Sequence, residues 1–262
     1  MPNHGNRKSR RRQLRASHQK NWLTGRYAVV ETLRARKWPV SDLFIADDIS
    51  DGDEIEQLLD EQDLRVQRVT SERLAELCHS THHQGLAARL GEFPYDSVEE
   101  LLETIAAAQG VKPLIVVCDR IQDSHNFGAI LRSCDAMNAT AVLVADTEQA
   151  IVTPQVSRSS SGAVNHVSVV RCSKLADEVE KLKAAGLTIA VASEQADSNL
   201  WAAALNRPVG LIVGSEAHGV SQQLIETSDC MLKVPMMGHV GSLNAAVAAG
   251  IMLYEIRRQQ MA

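Results

Sequence analysis

From Leu114 to the C-terminus the chain alternates short β-branched apolar runs with stretches of helical periodicity, and few folds accept that pattern. The runs Leu114–Cys118, Ala141–Ala145, His166–Val170, Thr188–Ala192, Val209–Val213 and Cys230–Val234 read as strands. Most are continuously apolar, as expected when both faces of a sheet are covered. Between them, 127–137, 154–160, 174–185, a short piece around 200–205 and 221–227 read as helices. The region therefore predicts an α/β domain with a largely parallel sheet. Ligands in such domains bind beyond the carboxyl ends of the strands. That rule singles out the loops at 119–126, 193–199, 214–219 and 235–241. The last of these joins a strand to a helix through Val234-Pro-Met-Met-Gly-His-Val-Gly-Ser242, with Ser242 at the expected N-cap of a helix rich in small residues.

The N-terminal third is organised differently. Residues 1–20 carry seven Lys or Arg and no acid, and they read as a disordered basic arm. The whole chain has a formal net charge of −5, so an acidic body carries this arm, and a polyanion such as nucleic acid is the expected partner. Residues 21–91 alternate helix at 27–33, strand at 42–46, helix at 55–59, strand at 66–69, helix at 71–78 and strand at 86–90. This predicts a small α/β domain, followed by a linker over 92–112 and the larger domain over 113–262.

Five scattered cysteines without a C-x-x-C pair exclude a zinc ribbon or a dithiol centre, and a reducing cytoplasm is the expected setting. Cys78-His-Ser-Thr-His-His83 lacks the carboxylate or second thiol that would complete a metal site, so no metal is expected. No apolar run reaches the length of a membrane span.

Two loops carry groups suited to chemistry. His125-Asn-Phe-Gly-Ala-Ile-Leu-Arg132 opens a helix whose apolar stripe is Phe127, Ile130, Leu131, Cys134 and Met137. Arg132 falls on the opposite face, and Asn126 is either a helix cap or a functional amide. Gly214-Ser-Glu-Ala-His-Gly219 follows a strand directly and presents Glu216, either at a helix N-terminus or to a ligand. The spacing of a phosphate-binding P-loop and that of a dinucleotide fingerprint are both absent.

Asn126-x-Gly128-x-x-x-Arg132, Gly214-Ser-Glu-x-x-Gly219 and Val234-Pro-Met-x-Gly238-x-x-x-Ser242-Leu-Asn244 resemble, in order, the three motifs of the SpoU/TrmH family. These are RNA 2′-O-ribose methyltransferases of the SPOUT superfamily. Gly25-Arg-x-x-Val29-x-Glu31-x-Leu33 and His83-Gln-Gly85 are similar to the substrate-binding domain of its rRNA-acting branch. The resemblance implies a knotted C-terminal domain, an L30e-like N-terminal domain, S-adenosylmethionine as cofactor and a homodimer held through the C-terminal domain. A small-residue face of Ala245, Ala246, Ala249 and Gly250 would suit that contact. It assigns catalysis to Asn126, Arg132, Glu216, Ser242 and Asn244. Cofactor binding falls to Gly214, Glu216, Val234, Met236, Gly238, Leu243 and Asn244, and RNA contacts to Arg26, His83, Gln84, Arg132 and Arg158. The implied reaction is methylation of a guanosine 2′-hydroxyl in 23S rRNA. A transfer-RNA or other rRNA target, and a noncatalytic RNA-binding or ribosome-assembly role, are the alternatives.

Five positions in three segments depart from the family pattern. Ala217-His218 follows Glu216 where glycine is usual, Asn165 replaces a frequent glutamate, and Ala245-Ala246 stands where Val-Ser is common. A positive φ at 217 would strain alanine by roughly 1 kcal/mol.

Overall fold

A computed structural model of the protein describes residues 21–49, 55, 57–59, 64–108 and 110–262. The chain divides into two compact units, one reaching Pro94 and including Val152–Asn165, the other formed by Tyr95–Ile151 and His166–Ala262. The expected disordered arm lies outside the described residues.

The first unit holds strands β1 (Trp22–Thr24), β2 (Val40–Ala46), β3 (Arg65–Val69) and β4 (Leu86–Leu90), in the order β1-β4-β2-β3. The β2–β3 pair is parallel and the other two pairs are antiparallel. Helices α1 (Arg26–Ala35) and α2 (Ser71–Cys78) accompany the sheet. Trp22 and Phe44, with ring centroids 5.0 Å apart, pack with Leu74, Cys78 and Ala87 into its core. β1 is too short to show a period. Of the helix expected over 55–59, Ile55 and 57–59 are helical and residue 56 is outside the described set.

Residues 152–165, expected in the larger domain, build part of this first unit. Thr153 caps a short helix (Pro154–Ser159) by accepting from the Val156 N–H at 3.4 Å. Asn165 donates to Thr32 Oγ1 at 3.0 Å, and Gly162 sits where a Cβ would come within 2.6 Å of the Glu31 side chain. Asn165 thus performs a buried amide-to-hydroxyl contact that a carboxylate could not donate.

The second unit is built on β5 (Leu114–Asp119), β6 (Ala141–Ala145), β7 (Val169–Cys172), β8 (Thr188–Ala192), β9 (Ser198–Asn199), β10 (Val209–Gly214) and β11 (Cys230–Lys233). They form one sheet in the order β7-β6-β5-β10-β8-β11-β9, with every neighbouring pair parallel. The expected strand at 166–170 is displaced to Val169–Cys172 because the edge follows β6 from Val142↔Val169 to Ala145↔Cys172. Part of the expected linker belongs to this unit as well. Asp96 bridges to Val170, and Ser97 with Glu100 forms a capping box on α3 (Val98–Ala107). Val98 and Leu101 from that helix enter the core with Ile115, Leu143, Val179 and Ile212.

Three further helices frame the strand ends: α4 (Ser124–Ala136), α6 (Leu175–Ala184) and α7 (Gln222–Thr227), with α5 being the Pro154–Ser159 helix above. The C-terminal helix α8 (Ala245–Met261) packs along α4, and at Gly250 a Cβ would lie 3.4 Å from Ser133 Oγ. Ala245, Ala246 and Ala249 are buried inside the unit. This corrects the expectation that the small-residue face meets a second copy: its missing side-chain volume is used against the chain's own helices and sheet. The large apolar side chains left exposed on α8 are Val247, Ile251, Tyr254 and Met261.

Candidate active site

Helix α4 is capped by Asp123, whose Oδ1 accepts from the backbone N–H groups of His125 and Asn126, both at 2.8 Å. Because Asp123 serves as the cap, the Asn126 side chain is not one. Its stripe is as expected, with Phe127, Ile130, Leu131 and Cys134 fully buried.

The cap of α8 is likewise shifted from its expected place. Asn244, not Ser242, caps the helix, its Oδ1 accepting from Ala246 N at 3.0 Å and Val247 N at 3.2 Å. With Oδ1 facing the helix, the amide nitrogen of Asn244 is fixed pointing away from it. That nitrogen donates to Asn126 Oδ1 at 2.9 Å and, in a very short contact, to Glu216 Oε1. Asn126 Nδ2 donates to the same Glu216 oxygen at 3.0 Å, and Ala245 N approaches it at 3.3 Å. Three residues distant in sequence therefore close a polar cluster at the N-terminus of α8, where a carboxylate is favoured. All of the donors reach Oε1, and Glu216 Oε2 has no partner among the described residues.

The loop bearing Glu216 is held from two sides. A Cβ on Gly214 would lie 2.2 Å from Gly219 C and 2.4 Å from Val220 N, so only glycine lets the returning backbone cross there. The buried Asp119 carboxylate accepts from Ser221 N at 2.6 Å, and Arg120 reaches Asp119 Oδ2 at 3.2 Å and Gly219 O at 3.3 Å. Glycine at 219 supplies the left-handed turn, with φ 63°, and Ala217 has no positive φ. The strain anticipated at Ala217 is therefore absent.

Beside the cluster lies a cavity of about 510 Å³ at the carboxyl ends of β8, β10 and β11. Its walls include Ser193 and Glu194 after β8, Gly214–Glu216 after β10, and Val234, Met236 and Gly241–Ala245 after β11. Gly214, Glu216, Val234, Met236, Ser242, Leu243 and Asn244 are thus brought together as expected. Gly238 is not among the lining residues, and open space surrounds the place of its Cβ. Ser193 and Glu194 lie in the 193–199 loop that the strand-end rule singled out, but that loop has no distinguishing residue pattern and neither residue is named there as a site residue.

The charge of the lining is one-sided: Glu194 and Glu216 contribute to it, and among the described residues no Lys, Arg or His does. A phosphate-bearing nucleotide would find no counter-charge there, whereas a cationic group would. A cavity of this size suits a single small ligand.

Arg132 does not line this cavity. It is exposed on α4 and has no ion pair or hydrogen bond among the described residues. The other expected RNA contacts lie in the first unit. Gln84 Oε1 accepts from the Arg26 N–H at 2.9 Å and so completes the N-terminus of α1, whose Gly25 offers no side-chain cap. The buried His83 accepts from Gly85 N at 3.0 Å through Nδ1, placing the ring proton on Nε2. Arg158 donates to Thr24 Oγ1 at 3.3 Å. Gln84 thus joins the two sequence motifs of this unit, and His83 braces the turn within its own motif.

No thiol offers nucleophilic chemistry near the site. Burial pushes the Cys118 and Cys172 thiols up to about 12 and raises Cys134 as well. Among the described residues no group of three or more His, Cys, Asp or Glu could hold a metal ion, and no helix is long and apolar enough to cross a membrane.

Comparison with known proteins agrees with this geometry. The SpoU rRNA Methylase family matches residues 113–254, and the family described as RNA 2′-O ribose methyltransferase substrate binding matches 22–96. A Bacillus subtilis (strain 168) protein, assigned as a TrmH family tRNA/rRNA methyltransferase, is 30% identical over 246 residues, 93% of this chain and 98% of its own. The structure of the SpoU methyltransferase AviRb from Streptomyces viridochromogenes with its cofactor AdoMet superposes with a TM-score of 0.77 at 27% identity, covering 96% of this chain and 94% of that one. A structure described as an RNA 2′-O ribose methyltransferase gives 0.75 at 27% identity, covering 96% and 93%.

Proposed function

The chain belongs to the SpoU rRNA methylase family, and on that premise we propose that it transfers a methyl group from S-adenosylmethionine to a ribose 2′-hydroxyl of RNA. The observation that carries this reading is the cavity abutting the Asn126–Glu216–Asn244 cluster, lined by Glu194 and Glu216 and, among the described residues, by no cationic side chain. Such a lining suits a sulfonium and opposes the phosphates of other adenosine cofactors. Val234, Leu243 and the Gly214 loop would hold the adenosine portion, and Glu194 and Glu216 would face the cationic end. When bound, S-adenosylmethionine supplies a methyl already made electrophilic by its sulfonium.

The remaining work falls to the protein. A ribose hydroxyl is a weak nucleophile until its proton is shared. Asn126, Asn244 and the Ala245 N–H hold Glu216 through Oε1, which leaves Oε2 to accept the hydrogen of the hydroxyl. Fixing that oxygen in line with the methyl is the main contribution asked of the site. Arg132, whose guanidinium has no partner among the described residues, steadies the RNA phosphate beside the target. The knot implied by the resemblance belongs to the same proposal. A homodimer is supported by the exposed Val247, Ile251 and Tyr254 on α8. The finer reading is a guanosine of 23S rRNA in the bacterial cytoplasm, with Arg26, His83, Gln84 and Arg158 marking the RNA-binding side of the first unit.

The test pairs calorimetry against S-adenosylmethionine with transfer of a tritiated methyl to RNA, followed by nucleoside digestion. Binding with label in 2′-O-methylguanosine is expected. Binding with label in another nucleoside would retain the enzyme and discard the guanosine target. No cofactor binding would leave a noncatalytic RNA-binding protein.

A further inference from the structure

Methyl transfer changes the charge of the molecule that the cavity must hold. The sulfur of S-adenosylmethionine is positively charged. When the methyl leaves, the sulfur keeps the electron pair of the broken bond and becomes a neutral thioether. The product, S-adenosylhomocysteine, has the same adenosine and the same amino-acid end. A site can therefore tell the two apart only by the methyl itself or by the charge on sulfur.

The two carboxylates of the lining are not equivalent. Glu216 is held through Oε1 by Asn126, Asn244 and the Ala245 N–H, so part of its charge is already answered. Glu194 has no hydrogen bond or ion pair among the described residues, and among them no Lys, Arg or His lines the cavity to compete for it. Its backbone is nevertheless held in place. Ser193 donates its N–H to Leu232 O of β11 at 3.0 Å, which fastens the end of β8 to the neighbouring strand. Ser193 O then accepts from Ala196 N at 3.2 Å, and Ser193 Oγ accepts from Gln195 N at 3.2 Å. Glu194 is thus the second residue of a tight turn closed by a backbone and a hydroxyl contact, with buried Ala196 anchoring the far end.

We propose that Glu194 makes the site prefer the charged cofactor to its neutral product, so that spent S-adenosylhomocysteine gives way to fresh S-adenosylmethionine. This rests on the methyltransferase reading above. A carboxylate attracts the sulfonium and has no such attraction for the thioether. Because Glu194 is solvent-exposed, the attraction is that of a surface ion pair, about twofold to fivefold in affinity, and it weakens with salt. Product and cofactor compete for one cavity at every turnover, so a preference of that size sets how strongly accumulated product inhibits.

The test is calorimetry of wild type, Glu194→Gln and Asp197→Asn with three ligands: S-adenosylmethionine, S-adenosylhomocysteine and sinefungin, in which a protonated amine stands in place of the sulfonium and no methyl can be transferred. Asp197 is exposed on the same loop but outside the lining, so Asp197→Asn controls for the loss of one negative charge. The expected result for Glu194→Gln is affinity for the two cationic ligands reduced about threefold or more, with S-adenosylhomocysteine affinity close to wild type. Asp197→Asn should match wild type for all three. Added salt should narrow the wild-type preference more than that of Glu194→Gln. Equal weakening of all three ligands by Glu194→Gln would overturn the proposal, since Glu194 would then touch a part they share. No weakening, or the same effect from Asp197→Asn, would overturn it too, and in each case the methyltransferase reading would stand. If wild type binds none of the three, that reading fails and the proposal fails with it.

Discussion

Asn244 commits its carbonyl oxygen to two helix N–H groups and its amide nitrogen to Asn126 and Glu216, so stability and chemistry can be separated at this one position. Asn244→Ala removes both sets and is expected to cost about 0.5–2 kcal/mol in thermal or urea unfolding. Asn244→Ser keeps a capping oxygen and should unfold nearly as wild type. Both should lower methyl transfer about 10- to 100-fold, the scale of one hydrogen bond to a charged group. Equal activity of the Ser variant and wild type would remove Asn244 from the catalytic cluster. Gly214→Ala is a second residue-scale prediction. Its Cβ would collide with the Gly219–Val220 backbone, so calorimetry should show S-adenosylmethionine binding weakened by about tenfold or more.

At the scale of elements, the junction of β8, α6 and β11 is tied by one carboxylate. Asp229 accepts from Ile189 N at 2.7 Å and pairs with Lys183 Nζ at 2.9 Å. Partial burial works to raise its carboxyl, but those two partners outweigh it and hold it below the ordinary 3.8. With the folded value depressed, the unfolded chain binds the proton more readily. This contribution is therefore complete above the ordinary value and disappears as pH falls through the folded one. Urea unfolding from about pH 7 to about pH 3 should show an acid loss that Asp229→Asn makes shallower. The elements themselves were largely legible: 71–78, 86–90, 141–145 and 188–192 coincide with their expected bounds, since apolar period and turn residues agree there. β1 and β9 are three and two residues long and carry no period to read. The strand expected at 166–170 moved because pairing with β6, a tertiary fact, sets its register. The two caps were missed for a related reason. Ser242 and Asn126 are good capping residues by type, and only the fold shows that Asn244 and Asp123 hold the helix N–H groups. The three motif loops were found because each follows a strand. That Asn126, Glu216 and Asn244 share hydrogen bonds is a product of strand order, which the linear sequence does not display.

For the molecule as a whole, two predictions concern assembly and electrostatics. If the proposed homodimer forms through α8, charge placed on its exposed side, as in Ile251→Glu or Tyr254→Asp, should shift sedimentation from dimer to monomer while leaving the unfolding transition near wild type. A variant that sediments as wild type would move the interface elsewhere. Deleting residues 1–20 removes seven cationic side chains and should flatten the dependence of RNA affinity on salt concentration. An unchanged slope would make the arm a bystander. The passage of 152–165 into the first unit has a consequence for how the chain is born. A ribosome delivers residues in order, and the first unit cannot acquire both its Thr32–Asn165 contact and the helix capped by Thr153 until residue 165 has emerged. By then β5, α4 and β6 have already been synthesised. The nascent N-terminal segment must wait unfinished for a piece encoded far downstream, so a truncated product ending near Pro94 would leave the tunnel with its sheet incompletely clothed.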